Sequence, residues 1–150
     1  MNDIAAQRSL IVERTMPHPP EKIWRALTSG PMMETWLMKN DFQPVLGHRF
    51  NFRATPMMGW NGVTDCEVLA VEEPHRLVYS WNASGEQAEG GLKTVVSWTL
   101  TPVDGGTAVR MEQSGFRPED EGGYRSMGGG WPGILGRLEQ AAGNQSAPTA

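Results

Sequence analysis

Five successive segments between residues 47 and 116 carry hydrophobic patterns of period two, and this run limits the fold more than any other feature. The predicted strands are Gly47–Arg53, Trp60–Val71, Arg76–Trp81, Leu92–Pro102 and Thr107–Phe116. The link Asp104-Gly105-Gly106 is typical of a tight hairpin turn. Consecutive strands joined by short turns favour an antiparallel sheet in which sequence neighbours also lie side by side.

The segment ahead of this run predicts one further strand and two short helices. Ser9–Met16 is rich in β-forming residues and partly alternating, so it predicts the first strand. Pro19 and Pro20 favour a helix start, because proline is tolerated in the first helical turn. Gly30 ends that helix, and a second helix is predicted at Pro31–Leu37.

The C-terminal segment returns to a helical period. Trp131, Ile134, Leu135 and Leu138 follow one another at i, i+3, i+4 and i+7, which places them on one face of a helix. Pro132 predicts a kink in this helix, or two helices that meet near Trp131. The whole pattern predicts an α+β fold, in which a curved six-stranded antiparallel sheet wraps the apolar face of one long helix and leaves a space beside it.

Length and charge are ordinary for one globular domain, with 150 residues and a net charge of −4. We expect the domain to span residues 1–143 and residues 144–150 to form a disordered tail. The single cysteine, Cys66, excludes a disulfide within the chain and fits a cytoplasmic location. The chain has no basic stripe for nucleic acid and no long apolar stretch for a membrane span, so neither partner is expected.

The sequence offers few groups for catalysis or metal binding. The three histidines, His18, His48 and His75, have no second ligand at the spacings of a zinc site, so neither a metal nor another cofactor is expected. Cys66 has no partner motif and is expected to be a buried, inert thiol. Six tryptophans and nine methionines supply bulky, adaptable side chains, which suit an apolar binding site and equally suit a plain core.

Three segments together resemble the START-like (SRPBCC) superfamily, whose members have the helix-grip fold. These segments are Val12–Leu37, Gly105–Phe116 and Gly128–Glu139, and the last contains the run Gly-Gly-Gly-Trp-Pro. The chain looks most like the bacterial proteins named after the activator of heat-shock protein 90 ATPase, and the resemblance covers residues 8–142.

The resemblance implies an apolar pocket between the sheet and the last helix. Members of the superfamily include ligand carriers, polyketide aromatase/cyclases and lipid-transfer domains, so the resemblance does not select one function. Many relatives have a histidine near the end of the last strand, where this chain has Gln113. Glutamine cannot serve as a general base at neutral pH, so proton transfer at that position is not expected here.

Strand and helix parity selects the side chains that would line such a pocket. The candidates on strands are Arg14, His48, Phe50, Phe52, Tyr79, Trp81, Trp98, Met111 and Gln113. The candidates on helices are Trp36, Trp131, Ile134, Leu135 and Leu138. Arg14 and His48 would orient a ligand carboxylate or carbonyl; alternatively, Arg14 pairs with a nearby glutamate or lies at the rim of the sheet.

Three functions remain open at this point. The favoured one is non-catalytic binding of a small, mostly apolar ligand, with a stress-related role suggested by the resemblance, by a monomer or a homodimer. The second is an enzyme of the polyketide cyclase or dehydratase kind, which a strongly shifted pKa of Tyr79 or Glu112 would favour. The third is a co-chaperone-like interaction domain, which a large exposed apolar patch would favour.

Overall fold

The structure is a computed structural model that describes residues 8–55, 62–83 and 92–144. Several sequence predictions fall outside these ranges: the tail beyond residue 144, most of the polar, glycine-rich loop that the sequence predicts at Asn82–Gly91, and Trp60 at the predicted start of the third strand. None of the helices in the described ranges is long and apolar enough to span a lipid bilayer.

The described residues form seven strands and three α-helices in one chain order. In that order they are β1 (Arg8–Met16), α1 (Pro20–Thr28), α2 (Gly30–Trp36), β2 (Lys39–Asn40), β3 (Arg49–Arg53), β4 (Val63–Glu72), β5 (Arg76–Ala83), β6 (Leu92–Val103), β7 (Gly106–Phe116) and α3 (Glu121–Gly143). A short 3₁₀ turn, Pro118–Asp120, leads from β7 into α3.

The strands form one antiparallel sheet in the order β1-β7-β6-β5-β4-β3-β2. Sequence neighbours from β2 to β7 are also spatial neighbours, as the alternating pattern predicted, and β1 closes the other edge by pairing with β7. The α+β fold is confirmed, but the strand count of six was wrong. The additional strand is β2, whose Lys39 and Asn40 pair with Arg53 and Phe52. A segment of two residues is too short to show a hydrophobic period, so β2 could not be recognised from the sequence.

The predicted strand at 47–53 begins later than expected, because β3 starts at Arg49 and His48 precedes it. The pairing of β4 with β5 shifts register between Val68 and Ala70. A bulge of this kind changes which face the following side chains occupy. Accordingly, Cys66 and Val68 are buried before the shift, whereas Val71, three positions beyond Val68, is the residue that packs against the core after it.

Helix α3 runs without a break from Glu121 to Gly143, so the alternative of two helices meeting near Trp131 was wrong. Its 23 residues correspond to a length of about 34 Å. Pro132 lies on the exposed side of the helix, where the ring meets solvent. Glycines allow a close approach to the sheet: a Cβ built on Gly128 would lie 3.2 Å from Leu10 Cδ2 of β1.

The core lies between the inner face of the sheet and helices α1, α2 and α3. Trp131, Leu135 and Leu138 of α3 are all at most 1% exposed, as their helical spacing predicted. Ile134 lies beside them, half-buried and packed against the same core. The large side chains of this core, and the few polar groups among them, form the candidate site.

Candidate functional site

A chain of aromatic rings crosses the interior from α2, over the sheet, to α3. Trp36 meets Trp98 edge-on at 5.8 Å between ring centroids, and Trp98 meets Trp131 at 5.9 Å. Trp131 lies 5.6 Å from Trp81, which in turn lies 5.3 Å from Phe52. Edge-on and tilted contacts at these distances stabilise aromatic pairs beyond the burial of their area. The rings therefore form one connected wall built from three strands and two helices.

A second group of rings extends this wall along β3 and β5. Phe50 contacts Phe52 at 5.4 Å and Tyr79 at 5.6 Å, and Phe52 lies 6.1 Å from Tyr79. Phe42, which precedes β3, packs edge-on against Phe50 at 5.0 Å. Strand parity predicted the first three of these residues. It missed Phe42, which lies outside any periodic segment.

Gln113 is the centre of a buried polar network beside Trp131, in the middle of the aromatic wall. Its Oε1 accepts a hydrogen bond from Trp131 Nε1 at 2.8 Å. Its Nε2 donates to Thr94 Oγ1 at 2.9 Å and to Met127 Sδ at 3.2 Å. Thr94 Oγ1 itself donates to the backbone oxygen of Trp81 at 2.8 Å. The amide of Gln113 therefore has partners on both sides and holds α3 against β6 and β7.

A second polar contact lies deeper in the core. Trp98 Nε1 donates to the hydroxyl oxygen of Tyr79 at 3.0 Å. Burial raises the pKa of Tyr79 above its ordinary value and outweighs the opposing effect of the hydrogen bond from Trp98. The hydroxyl is consequently neutral over the physiological pH range, and it keeps its hydrogen.

Trp81 differs from the other tryptophans of the wall. Its Nε1 is the only side-chain nitrogen or oxygen in the described residues that is fully buried and has no hydrogen-bond partner. By contrast, Trp36 Nε1 donates to the backbone oxygen of Ala26 at 2.9 Å. An unpaired buried donor costs about 1–3 kcal/mol and calls for an explanation.

The structure brings most of the predicted site residues together on the inner side of the sheet. These are Trp36, Phe50, Phe52, Tyr79, Trp81, Trp98, Met111, Gln113, Trp131, Leu135 and Leu138, all buried, with Ile134 at their margin. Sequence reasoning did not select Thr94 and Met127, which contact Gln113. Thr94 has the parity of Val96 and Trp98, so the same rule would have found it.

Arg14 lies at the rim of the sheet. Its side chain is 44% exposed, and its Nε donates to Glu139 Oε1 of α3 at 2.7 Å. The structure therefore places Arg14 as the alternative in the sequence analysis described, in an ion pair with a nearby glutamate. Its guanidinium therefore contacts α3 at Glu139.

His48 also lies at the margin. Its ring is half-buried and runs parallel to that of Phe50, with 6.1 Å between centroids. His48 Nε2 lies 2.9 Å from the backbone oxygen of Asp41, to which it donates when that nitrogen carries the hydrogen. This bond fixes the ring against the segment that precedes β3.

The interior holds little acid–base chemistry. Cys66 is buried, and its pKa is raised chiefly by burial, with smaller contributions from the negative charges of Asp65 and Asp41, so the thiol stays protonated. Glu112 forms an ion pair with Arg110 on the outer face of β7, outside the core. In the described ranges, no three His, Cys, Asp or Glu side chains are grouped as they would be around a metal ion.

These features define a class of protein. A curved antiparallel sheet folded around a long C-terminal helix, with large side chains from both facing each other, is the helix-grip arrangement of START-like domains. This fold is of a ligand-binding type.

Comparison with known proteins narrows the class to a family. Residues 17–143 match the family described as Activator of Hsp90 ATPase homolog 1-like protein, and the chain belongs to that family. Among curated proteins, none matches.

Solved structures agree with this assignment. The crystal structure of MLL2253 from Mesorhizobium loti is 49% identical in sequence, covers 93% of this chain and 100% of its own, and gives a TM-score of 0.85. BH1534 from Bacillus halodurans is 23% identical over 90% of this chain and 96% of its own, with a TM-score of 0.73. CalU16 from Micromonospora echinospora is 22% identical over 96% and 83%, with a TM-score of 0.72, and like BH1534 it supports the fold alone.

Proposed function

We propose that this protein binds a small, mostly apolar and aromatic ligand between the inner face of the sheet and helix α3, without catalysing a reaction on it. The observation that carries the proposal is the continuous aromatic wall that joins Trp36, Trp98, Trp131, Trp81 and Phe52 across two layers of the fold. Ligand sites of this kind are mostly apolar, with a few placed polar groups.

The composition of the wall supports an aromatic occupant. Flat rings offer both faces and edges, so a ligand ring inserted among them gains the same edge-on and tilted contacts that the side chains make with one another. Met111 and Met127 border the wall, and methionine adapts its shape to irregular partners at little cost. Such a lining favours ligands with a large apolar surface and does not require one particular ligand shape.

The ionisation of the interior favours binding over proton transfer. General acid–base catalysis is most efficient when the pKa of the catalytic group lies near the working pH. Burial moves the pKa values of Tyr79 and Cys66 upward, away from neutrality. The shift of Tyr79 thus runs in the direction that weakens a cyclase-like role, leaving the hydroxyl able to polarise a ligand but not to take up a proton.

An interaction role is less well supported by the described surface. The large apolar side chains exposed there are Ile11, Val45, Leu46, Leu69 and Val103. Only Val45 and Leu46 are adjacent in sequence, and the others lie on different strands. Single exposed apolar residues are normal on protein surfaces and need no partner to explain them.

Native mass spectrometry of the gently purified protein, followed by titration with a panel of aromatic compounds, tests the proposal. We expect at least one neutral bicyclic or tricyclic compound to bind with a stoichiometry of one per chain. Failure of every compound in a chemically broad panel, together with a mass spectrum free of retained molecules, would reject it.

Two variants locate the site. Phe52→Leu removes a ring from the wall at similar volume and should weaken aromatic binding several-fold, since each aromatic contact contributes about 0.5–1.5 kcal/mol. Ile11→Ala removes an apolar side chain that is 49% exposed on β1, and binding should not change. The reverse pattern would place the compound on the outer surface. Circular dichroism verifies that both variants are folded.

A further inference from the structure

The indole N–H groups of the aromatic wall differ in whether the protein supplies a hydrogen-bond acceptor for them. Trp36 Nε1 donates to Ala26 at 2.9 Å, Trp131 Nε1 to Gln113 at 2.8 Å, and Trp98 Nε1 to Tyr79 at 3.0 Å. Trp81 Nε1 has no partner within the described residues, although Trp81 is only 4% exposed. Three of these four indoles are therefore satisfied by the protein, and one is not.

The polar groups near Trp81 are already engaged elsewhere. Thr94, which pairs with Trp81 across β5 and β6, directs its hydroxyl hydrogen to the backbone oxygen of Trp81. Gln113 Oε1 accepts from Trp131. The remaining ring neighbours of Trp81 are Phe52 and Trp131, and neither has an acceptor atom in its side chain. The fold thus leaves an indole N–H in the core without supplying its acceptor.

A second donor lies nearby on the same strand. Tyr79 and Trp81 are two residues apart on β5, so their side chains share one face of the strand and their Cα atoms lie about 7 Å apart. The Tyr79 oxygen accepts from Trp98, but no acceptor for its own hydrogen is found among the described residues. Phe42, Phe50 and Phe52 surround its ring. The hydroxyl keeps that hydrogen at neutral pH because burial raises its pKa.

We propose that the ligand presents a neutral hydrogen-bond acceptor oxygen, such as that of a ketone, quinone or aryl ether, to Trp81 Nε1, with the Tyr79 hydroxyl as a second donor. This inference rests on the proposed function and specifies the ligand chemistry of the same site. A molecule of this class satisfies the unpaired donor, whereas a hydrocarbon of the same shape leaves it unpaired.

The charges of the interior restrict the acceptor to a neutral one. The buried polar and charged residues of the described ranges are Thr64, Thr94, Thr107, Gln113 and Asp120. None carries a positive charge, and Arg14 is held at the rim by Glu139. A ligand carboxylate placed beside Trp81 would be a buried charge without a counter-ion, which is strongly unfavourable.

A matched pair of compounds tests the proposal: fluorene and 9-fluorenone, which share a tricyclic frame and differ in one carbonyl. In the wild-type protein, we expect 9-fluorenone to bind about 5- to 30-fold more tightly, because one neutral hydrogen bond to a donor that is otherwise unpaired contributes on the order of 1–2 kcal/mol. Fluorene-9-carboxylate should bind more weakly than 9-fluorenone. Isothermal titration calorimetry measures all three.

Trp81→Phe removes the N–H and keeps an aromatic ring, so it should bring the two affinities to within about 3-fold of each other. Trp36→Phe is the matched control. It also removes an indole from the wall, so both affinities should fall alike, but the ketone preference should persist because Trp36 Nε1 is already satisfied by Ala26. Tyr79→Phe should reduce the preference in part. Loss of the preference in Trp36→Phe but not in Trp81→Phe would overturn the assignment of the donor.

A spectroscopic measurement on the wild-type protein makes the test independent of how well the variants fold. Hydrogen bonding lowers the infrared stretching frequency of the 9-fluorenone carbonyl relative to its value in an apolar solvent, so a lowered frequency is expected in the complex. An unshifted carbonyl, equal affinity for both compounds or a preference for the carboxylate overturns the inference while leaving apolar ligand binding intact. Failure of all three compounds, and of the broader panel, instead refutes the proposed function itself.

Discussion

Substituting Gln113 by leucine should destabilise the fold, and the hydrogen bonds of Gln113 determine the size of the expected loss. Leucine has a similar volume to glutamine and fits the apolar surroundings, so packing changes little. The change removes the acceptor of Trp131 Nε1, which the network holds at 2.8 Å. Thr94 Oγ1 loses one partner but still donates to the backbone oxygen of Trp81.

One buried N–H is therefore left unpaired, and the expected cost is about 1–3 kcal/mol in the free energy of unfolding. The contact of Gln113 Nε2 with Met127 Sδ adds little, because a thioether sulfur is a weak acceptor. In a Trp131→Phe background no indole N–H remains to be orphaned, so the same Gln113→Leu change should cost less there. The coupling energy of this double-mutant cycle should lie between about 0.5 and 3 kcal/mol.

Urea denaturation followed by far-ultraviolet circular dichroism measures all four proteins of the cycle. With a slope of about 1–3 kcal/mol/M, a loss of about 2 kcal/mol moves the midpoint by roughly 1 M. The slope should stay constant, which would show that only stability has changed. An additive cycle, or a Gln113→Leu protein within about 0.3 kcal/mol of the wild type, would refute the reasoning that Gln113 is an obligatory acceptor.

Four further substitutions have expected outcomes measurable by the same denaturation. Gly129→Ala should stabilise by about 0.5–1 kcal/mol, because Gly129 lies exposed inside α3 with open space around it, whereas Gly106→Ala should destabilise, since its Cβ would overlap the backbone of Met16. A destabilising Gly129→Ala would contradict this. Asp120→Asn should cost about 1.5–3 kcal/mol at neutral pH. Burial opposes ionisation of Asp120, but the hydrogen bonds from the side chain and backbone of Arg117, together with its positive charge, outweigh burial and lower the pKa of Asp120 below its ordinary value of 3.8. The stability of the wild-type protein should therefore fall as the pH drops below 3.8, and it should fall less in the Asp120→Asn variant. An equal fall in both proteins would contradict this assignment. Arg14→Ala should cost less than about 1 kcal/mol, because the pair it breaks is solvent-exposed; a larger loss would show a role beyond that pair.

The fold could be predicted from the sequence because its signals are periodic and consecutive. Strands β3 to β7 each carry enough alternating residues to define a face, and turns such as that at Gly105 fix their antiparallel order. The residue Gly105 has a φ of 81°, which a side chain would strain. What could not be predicted was short or non-periodic: the two residues of β2, and the placement of Phe42.

Strand and helix parity predicted which side chains face the core, but not how deeply each of them lies. Leu10, Val12 and Arg14 share a face of β1, and the first two do pack against the core. Arg14 has the same parity, but β1 is an edge strand, so its long side chain reaches past the margin to Glu139. Parity states which face a residue occupies, whereas its distance from the edge decides whether a charged group finds water.

The polar groups of the interior are hydrogen-bond donors, and none of them can act as a base near neutral pH. The side-chain carbonyl of Gln113 already accepts the hydrogen bond of Trp131 Nε1. Tyr79 and Cys66 are held neutral by burial, so no buried group in the described wall changes charge near neutral pH. A site whose only unsatisfied chemistry is an N–H and an O–H can hold and polarise an acceptor, yet it cannot remove a proton from it. Introducing Gln113→His would supply a titratable group but take away the acceptor of Trp131 in one of the two tautomers. Any proton-transfer activity gained by that variant should therefore appear together with a lower free energy of unfolding. Activity gained at unchanged stability would show that the fold does not need Gln113 as the acceptor of Trp131 Nε1.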